Sequence, residues 1–287
     1  MPQSLDARIL DVYETLSPSE QRLADIVLEH QRDLASYSAT ELSRRAGVSK
    51  ATAARLFQRL GYENYNEARR QARSLKHWGS PLIALSEVAD LSKVDTNLLM
   101  HLNNDLTNVT RTFEVLRNDV VTASVDALAA APRVWVLGLR SSYVMAHYAR
   151  FLLIMLKQDV RLVPVGGLSF AEEVVDMAAG DVLLAIGFRR RPRVLKALME
   201  NARDRGVKVI FVTDLTASLT PRSAEFVLRC HSRPSYFTDS YTAAMSVLNF
   251  LASSLALKLG TPARLRLDAI DTLHDELDAF TVLAKRT

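Results

Sequence analysis

The sequence predicts an all-α helix-turn-helix domain followed by an α/β three-layer sandwich with a five-stranded parallel sheet. Two observations lead to this prediction. Short helices with clear start and stop signals fill the chain up to about residue 80, whereas short apolar strands alternate with helical segments after Pro132. The length of 287 residues suits two ordinary domains, and 48% hydrophobic with 24% charged residues is typical of a globular protein.

Three serines mark the starts of successive helices near the N-terminus: Ser17, Ser38 and Ser49. Glu20 and Glu41 each stand three residues after one of the first two serines, which is the spacing of a capping box. Apolar residues recur at helical spacing after each start. We therefore expect three short helices in this region, the third running to about residue 60.

The turn Gly47-Val48-Ser49 separates the second and third helices, as in a helix-turn-helix motif. One side of the third helix is apolar and is expected to pack on the first two helices. The opposite side carries residues that reach phosphates and base edges. We predict that the DNA contacts are Ser49, Lys50, Ala51, Thr52, Arg55, Gln58 and Arg59. The alternative is an ordinary amphipathic helix of a bundle.

Positive charge is concentrated in the same region. Residues 44–76 hold nine Lys and Arg against two Glu, a balance of +7, whereas residues 1–43 carry a balance of −5. Such a block is the electrostatic pattern of a DNA-binding face. From charge alone, a solvated basic surface would be the preferred interpretation.

The remaining sequence features indicate a cytoplasmic protein without membrane association. No apolar run approaches the ~20 residues of a membrane helix, and the charged N-terminus lacks the apolar core of a secretion signal. The single cysteine, Cys230, lies in an apolar run and is expected to be a reduced core thiol. No His, Cys or Asp spacing indicates a metal site, and we expect no cofactor.

The composition changes along the chain indicate four parts. A further Arg-rich helix extends to about Lys76, and the stretch from His77 to Pro81 is the best linker. Helices over 95–117 and 119–130 could join the domains or pack across a dimer. The predicted parts are a DNA-binding domain over 1–78, a linker with connecting helices over 79–118, a sensing domain over 119–260 and a C-terminal helical tail over 261–287.

The α/β pattern consists of near-continuous apolar strands separated by helical segments, which indicates βαβ units. The predicted strands are 133–138, 159–165, 181–187, 207–213 and 224–230. The predicted helices between and after them are 142–157, 169–178, 192–205 and 239–259. In such sheets, ligands bind beyond the carboxyl ends of the strands. The turns there lack the glycine spacing of a dinucleotide site and the lysine of a phosphate-binding loop.

The chain resembles RpiR/MurR-type bacterial transcriptional regulators, which join a helix-turn-helix domain to a SIS (sugar isomerase) domain. The likeness lies in SATELSRRAGVSKATAARLFQRLGY (38–62), GLRSS (138–142) and GDVLLAIGFRR (180–190), and it spans about residues 5–260. The resemblance implies a homodimer or homotetramer that binds a double-stranded DNA operator. It also implies a SIS domain that senses a phosphorylated sugar.

The chain departs from this family where the phosphate would bind. SIS domains usually carry G-x-G-x-S after the first strand, and here Arg140 replaces the second glycine. After the third strand they usually carry S-x-S-G-x-T, and here three arginines occur instead. We therefore expect an anionic ligand held by guanidinium groups. The predicted ligand residues are Gly138, Arg140, Ser141, Ser142, Arg189, Arg190, Arg191 and Ser240.

Two alternatives to this site are open. The arginines could be solvated, or paired with Glu172, Glu173 and Asp176 of the preceding helix. The chain could also be a SIS-type sugar-phosphate isomerase or lyase with an attached DNA-binding domain. The carboxyl and imidazole groups that could act as its general base are Glu172, Glu173, His147 and His231. Nothing in their spacing pairs them, so we expect no catalytic residues and no enzymatic activity.

Overall fold

This computed structural model describes residues 5–29, 37–74, 98–166, 169–189, 191–217, 220–234 and 238–277. The N-terminal domain is helical. Its helices are α1 (Leu5–Val12), α2 (Pro18–Glu29), α3 (Ala39–Ala46), α4 (Lys50–Arg59) and α5 (Tyr65–Ser74). The helix-turn-helix pair is α3 and α4, as predicted.

The predicted capping residues start these helices. Ser38 and Glu41 form both halves of a capping box at the start of α3, and Ser17 and Glu20 exchange the same bonds at the start of α2. Gly47 ends α3 with a left-handed φ of 62°, which a side chain would disfavour. The side of α4 expected to be internal is buried: Ala53, Leu56, Phe57 and Leu60.

Two helices connect this domain to the sheet. Helix α6 (Leu98–Val115) packs on the last strand of the sheet and on the long helix Thr242–Leu259. Helix α7 (Asn118–Ala130) packs on the same strand and the same long helix. The sequence left open whether these helices join the domains or pack across a dimer. Within the chain, both belong to the α/β domain. The predicted linker from His77 to Pro81 lies outside the described residues.

The α/β domain is built on a parallel sheet. Its strands are β1 (Val134–Gly138), β2 (Val160–Val163), β3 (Val182–Gly187), β4 (Lys208–Asp214) and β5 (Phe226–Cys230), in the order β2-β1-β3-β4-β5. The following helices are α8 (Ser142–Ile154), α9 (Phe170–Val174), α10 (Arg193–Asp204), α11 (Thr242–Leu259) and α12 (Thr261–Glu276). The predicted parallel sheet is confirmed, and β1 lies beside β3.

Alternating residues of the strands fill two separate core layers. Leu184 and Ile186 of β3 face the core beneath α7, α8 and α11, whereas Leu183 and Ala185 face the core beneath α10. Both faces of the sheet are therefore covered, which makes a three-layer sandwich. The four predicted helices are all shorter than expected, most clearly α9, which ends at Val174, α8, which ends at Ile154, and α11, which begins at Thr242.

Helix α11 is long and apolar enough to cross a membrane, by length and composition alone. It packs within the α/β domain against α7 and α8. Its buried residues are Ala243, Ala244, Val247, Leu248, Leu251, Ala252 and Leu255. These contacts are those of a core helix.

The two domains touch through one buried carboxylate. Arg222, which follows β4, donates from Nη2 to Oδ2 of Asp25 on α2 at 2.7 Å. The hydroxyl of Tyr13 donates to the other oxygen of Asp25 at 2.6 Å. This contact is an ion pair between α2 and the segment that follows β4.

Candidate functional site

The N-terminus of α4 is held by a short chain of hydroxyl groups. The Ser49 hydroxyl accepts from the backbone N–H of Thr52 at 3.1 Å, and the two hydroxyl oxygens lie 2.9 Å apart. The guanidinium of Arg55 lies 3.5 Å from the Thr52 hydroxyl. The first turn of α4 is therefore ordered before any contact with DNA.

The structure separates the predicted DNA-contact residues into two groups. Lys50, Ala51, Arg55 and Gln58 are exposed along α4. Arg59 instead donates to the backbone oxygen and hydroxyl of Thr15, at 3.1 and 2.9 Å, and lies near the Glu20 carboxylate. Its guanidinium is thus bound within the domain, because the α1–α2 turn brings oxygen acceptors to the last turn of α4.

A cavity of about 210 Å³ lies at the carboxyl ends of β1 and β3. Its walls come from the loops after these two strands and from the segment before α11. The lining residues are Leu139, Arg140, Ser141, Ser142, Ile186, Gly187, Phe188, Arg189, Arg191, Pro192, Leu195, Thr238, Asp239 and Tyr241. This is where a doubly wound sheet binds its ligands.

The loop after β1 contributes one charge and two hydroxyls to this cavity. Arg140 is exposed and has a left-handed φ of 58°, a conformation that side chains disfavour. Ser141 and Tyr241 lie with their hydroxyl oxygens 3.0 Å apart, and the buried Ser142 hydroxyl accepts from the N–H of Phe188 at 3.3 Å. Ser141 and Ser142, two of the predicted ligand residues, therefore line the cavity.

Gly138 has a packing role. It does not line the cavity, and a Cβ there would overlap the Ser142 backbone oxygen and the Ala146 side chain. The end of β1 can therefore approach α8 only without a side chain.

The loop after β3 places two arginines in the cavity wall, each bound to an aspartate. Arg191 donates to Asp214 at 2.8 Å and to the Thr216 hydroxyl at 3.0 Å. The N–H of Arg189 also donates to Asp214, and its Nη1 donates to Asp239 at 2.7 Å. Arg190 lies outside the described residues.

The partners of these arginines differ from those that the sequence offered. Glu172 caps its own helix, Glu173 accepts from the backbone N–H of Val165, and Asp176 lies near Arg161. The carboxylates that pair with Arg189 and Arg191 come instead from the end of β4 and from the segment before α11. For Arg189 and Arg191, the predicted pairing with Glu172, Glu173 and Asp176 is therefore wrong.

Ser240 is a predicted ligand residue whose side chain binds another part of the protein instead. It does not line the cavity, and its hydroxyl donates to Asp105 of α6 at 2.6 Å. Its neighbours Asp239 and Tyr241 line the cavity and were not predicted. The only local signal for them was a polar start to a long apolar helix, which also fits simple capping.

The electrostatics of the two aspartates differ. Burial alone would raise the pKa of Asp214, but Arg191 and the hydrogen bonds from Thr216 and the Arg189 backbone outweigh it and lower this pKa. Burial raises the pKa of Asp239 to about 6, with Asp214 adding repulsion against the attraction of Arg189. Among the described residues, no cluster of three or more His, Cys, Asp or Glu could hold a metal ion.

The fold and these two sites define a two-domain DNA-binding protein with a ligand cavity. Models of known families match both domains: "Helix-turn-helix domain, rpiR family" over residues 3–73 and "SIS domain" over residues 127–254. The chain thus joins an rpiR-family helix-turn-helix domain to a SIS domain, which is the domain arrangement of RpiR-type transcriptional regulators, and the resemblance found in the sequence is confirmed.

Two named relatives are similar to most of the chain. HTH-type transcriptional regulator HexR of Pseudomonas aeruginosa is 23% identical over 261 residues, which cover 86% of this chain and 87% of HexR. Bifunctional protein glk of Paraburkholderia xenovorans is 27% identical over 222 residues, 75% of this chain. That match spans about a third (34%) of the length of glk.

Solved structures share the fold. The Vibrio vulnificus NanR protein complexed with ManNAc-6P is 19% identical with a TM-score of 0.57, covering 95% of this chain and 98% of NanR. The sugar isomerase domain of an RpiR transcription factor from Sphaerobacter thermophilus is 24% identical with a TM-score of 0.56. It covers 60% of this chain and 96% of that domain.

Proposed function

We propose that the chain is a cytoplasmic regulator that binds a DNA operator through α4 and senses an anionic metabolite in its SIS-domain cavity. The metabolite is a sugar phosphate or a carboxylate. One observation carries this proposal: a helix-turn-helix domain with an exposed basic face is joined to a cavity lined by Arg140, Arg189 and Arg191. Guanidinium groups bind both anion classes through paired hydrogen bonds.

The DNA-binding step uses the exposed side of α4. A dimer places two such helices in successive major grooves of a near-palindromic operator. Arg55 and Gln58 lie where they reach base edges, and Ser49 and Lys50 lie at the helix start, where phosphate oxygens bind. The protein then has two conformations, one that binds the operator tightly and one that binds it weakly. Effector binding changes operator affinity to the extent that the effector binds these two conformations with different affinities.

Replacing Arg55 tests the DNA-binding surface. An operator is first selected from genomic DNA fragments by the protein itself and mapped by footprinting. Arg55→Ala is expected to weaken binding by about 1–3 kcal/mol per half-site, because a guanidinium contact to a base is lost. Arg264→Ala, an exposed arginine on α12, is the matched control and is expected to leave affinity unchanged. Equal affinity of the Arg55 variant and wild type would exclude this residue from the interface.

The ligand side is tested by thermal shift on the full chain with sugar phosphates and carboxylates. A true effector at ~100-fold excess over its Kd stabilises the folded state by about 2.7 kcal/mol. The NanR structure holds a sugar phosphate, which supports that class, whereas the arginines in place of the family hydroxyls support carboxylates. Arg140→Ala and Arg189→Ala are expected to reduce the shift, with Arg264→Ala as control. An equal shift in all variants would contradict the arginine pocket.

A SIS-type isomerase or lyase is the second candidate, and the raised pKa of Asp239 favours it. A carboxylate with a pKa of about 6 in a cavity has the property of a general base. However, this carboxylate is bound to Arg189. The four residues proposed from the sequence as general bases do not line the cavity in the described structure: Glu172, Glu173, His147 and His231. We therefore favour the regulator. Recovery of the stabilising metabolite unchanged after prolonged incubation would support this choice, and conversion would overturn it.

A further inference from the structure

Asp239 forms an ion pair with Arg189, whose guanidinium group an anion in the cavity would bind. Arg189 Nη1 donates to Asp239 Oδ1 at 2.7 Å, and only 9% of the Asp239 side chain is exposed. The Arg189 backbone is fixed by its own N–H bond to Asp214. The ion pair therefore spans the cavity wall, joining the loop after β3 to the segment before α11.

The charged groups around Asp239 come from three parts of the domain. Arg189 and Arg191 follow β3, Asp214 ends β4, and Tyr241 lies two residues further along the same segment. Burial and Asp214 disfavour the ionised carboxylate of Asp239, and the two arginines favour it. Removal of its charge therefore weakens the ion pair between Asp239 and Arg189.

The segment that carries Asp239 is also bound to α6, the helix that packs on β5 and α11. Ser240 and Thr242 both donate hydroxyl hydrogen bonds to the Asp105 carboxylate, at 2.6 and 2.9 Å. Further along α6, the Asn108 side chain donates to the backbone oxygen of Arg233 at 2.9 Å. The residue beside Asp239 is thus directly bound to the connecting helix.

We propose that Asp239 is an internal competitor of the effector, and that an anion binding Arg189 displaces it and loosens segment 238–242 from Asp105. This inference rests on the anion-sensing function proposed above. The two arrangements are Arg189 bound to Asp239 and Arg189 bound to the ligand. Because the first must open before the second forms, Asp239 lowers the apparent ligand affinity. Asp239 is therefore a positioning residue that couples the cavity to α6.

Sulfate is the probe, because its charge does not change across the pH range of the test. Binding is measured by calorimetry on the full chain at pH about 7.5 and about 5.5, on either side of the raised pKa. Wild type is expected to bind about tenfold more tightly at the lower pH, where Asp239 is protonated. Asp239→Asn is expected to bind at the tighter level at both values. Asp271→Asn, the same change at an exposed site on α12, is expected to behave as wild type.

Hydrogen exchange of the α6 amides gives the second readout. Sulfate is expected to speed exchange near Asp105 and Asn108 in wild type. Sulfate-free Asp239→Asn is expected to show this faster exchange already. Arg189→Ala, which removes the proposed anion ligand, is expected to lose sulfate binding.

The outcomes separate the two proposals. If Arg189→Ala loses binding but Asp239→Asn binds no more tightly than wild type, the competition is wrong while the cavity remains an anion site. If Asp239→Asn binds more tightly and α6 exchange is unchanged, the coupling to α6 is wrong. If no variant binds sulfate, or Arg189→Ala binds it as wild type does, the anion site itself is wrong and this inference fails with it.

Discussion

Asp214 shows how single residues hold the cavity in shape. Its side chain is 3% exposed and accepts hydrogen bonds from Arg191, from the Arg189 backbone and from Thr216. A buried carboxylate is tolerated only when such partners compensate for lost hydration. The Arg191–Asp214 ion pair is therefore the more buried of the two in the cavity wall, and the stability of the loop after β3 depends on it.

Asp214→Ala is expected to reduce the free energy of unfolding by about 3–5 kcal/mol, because it leaves the Arg191 guanidinium buried without its partner. Urea denaturation at neutral pH measures this change. Asp159→Ala is the matched control, since the Asp159–Arg161 pair is half exposed and such pairs contribute about 1 kcal/mol or less. Similar losses for the two variants would show that burial does not distinguish these pairs.

The lowered pKa of Asp214 also predicts how its contribution to stability changes with pH. Because the folded pKa lies below that of the unfolded chain, the stabilisation is present above about pH 4 and is lost as the pH falls through the folded value. The stability difference between wild type and Asp214→Ala should therefore shrink in acid.

At the scale of elements, the sequence predicted the strands and helices well and the cavity only in part. Strand residues such as Leu184 and Ile186 belong to continuous apolar runs, and the helix starts carry their own caps, so both are readable locally. Asp239 and Tyr241 reach the cavity from an irregular segment far along the chain. No local pattern in the sequence indicates which distant loop lies over the end of a strand. The sequence likewise does not indicate that Arg59 bonds to Thr15, because the two residues are far apart along the chain.

Helix α6 illustrates an element held by polar contacts rather than by an apolar face. Asn108 is buried and both donates to and accepts from the Arg233 backbone, at 2.9 and 3.1 Å. The buried Thr112 hydroxyl accepts from the His231 N–H at 2.8 Å. These bonds attach the helix to the segment that leads from β5 to the cavity.

Asn108→Ala is expected to destabilise the protein by about 1–3 kcal/mol, because the Arg233 N–H loses its acceptor, although the Arg233 carbonyl still accepts from Asn104. Thermal unfolding followed by circular dichroism measures the loss. Asn103→Ala, at an exposed position of the same helix, is the control and should stay within about 0.5 kcal/mol of wild type. Because Ala has a higher helix propensity than Asn, a loss in the control as large as that in Asn108→Ala would contradict the role given to the Arg233 bonds.

At the scale of the whole molecule, the monomer leaves a continuous apolar surface uncovered. On α6, Leu102, Leu106 and Phe113 are exposed at helical spacing. On the adjoining α11, Phe250 and Leu257 are exposed two turns apart. The Phe113 and Phe250 rings meet edge to face at 6.2 Å, so the two helices present one surface. Large exposed apolar patches mark protein interfaces, and an operator with two half-sites requires two copies of α4.

We therefore expect the chain to self-associate through this surface, and Phe250→Glu to shift it to monomers because a charge would be buried at the centre of the contact. Sedimentation equilibrium over a range of protein concentrations measures the assembly. Val175→Glu is the control, because Val175 is an exposed apolar residue beside α9, on the opposite side of the sheet. It should leave the assembly unchanged. A wild type that is monomeric at every concentration, or a Phe250 variant that assembles as wild type does, would show that another surface joins the copies on DNA.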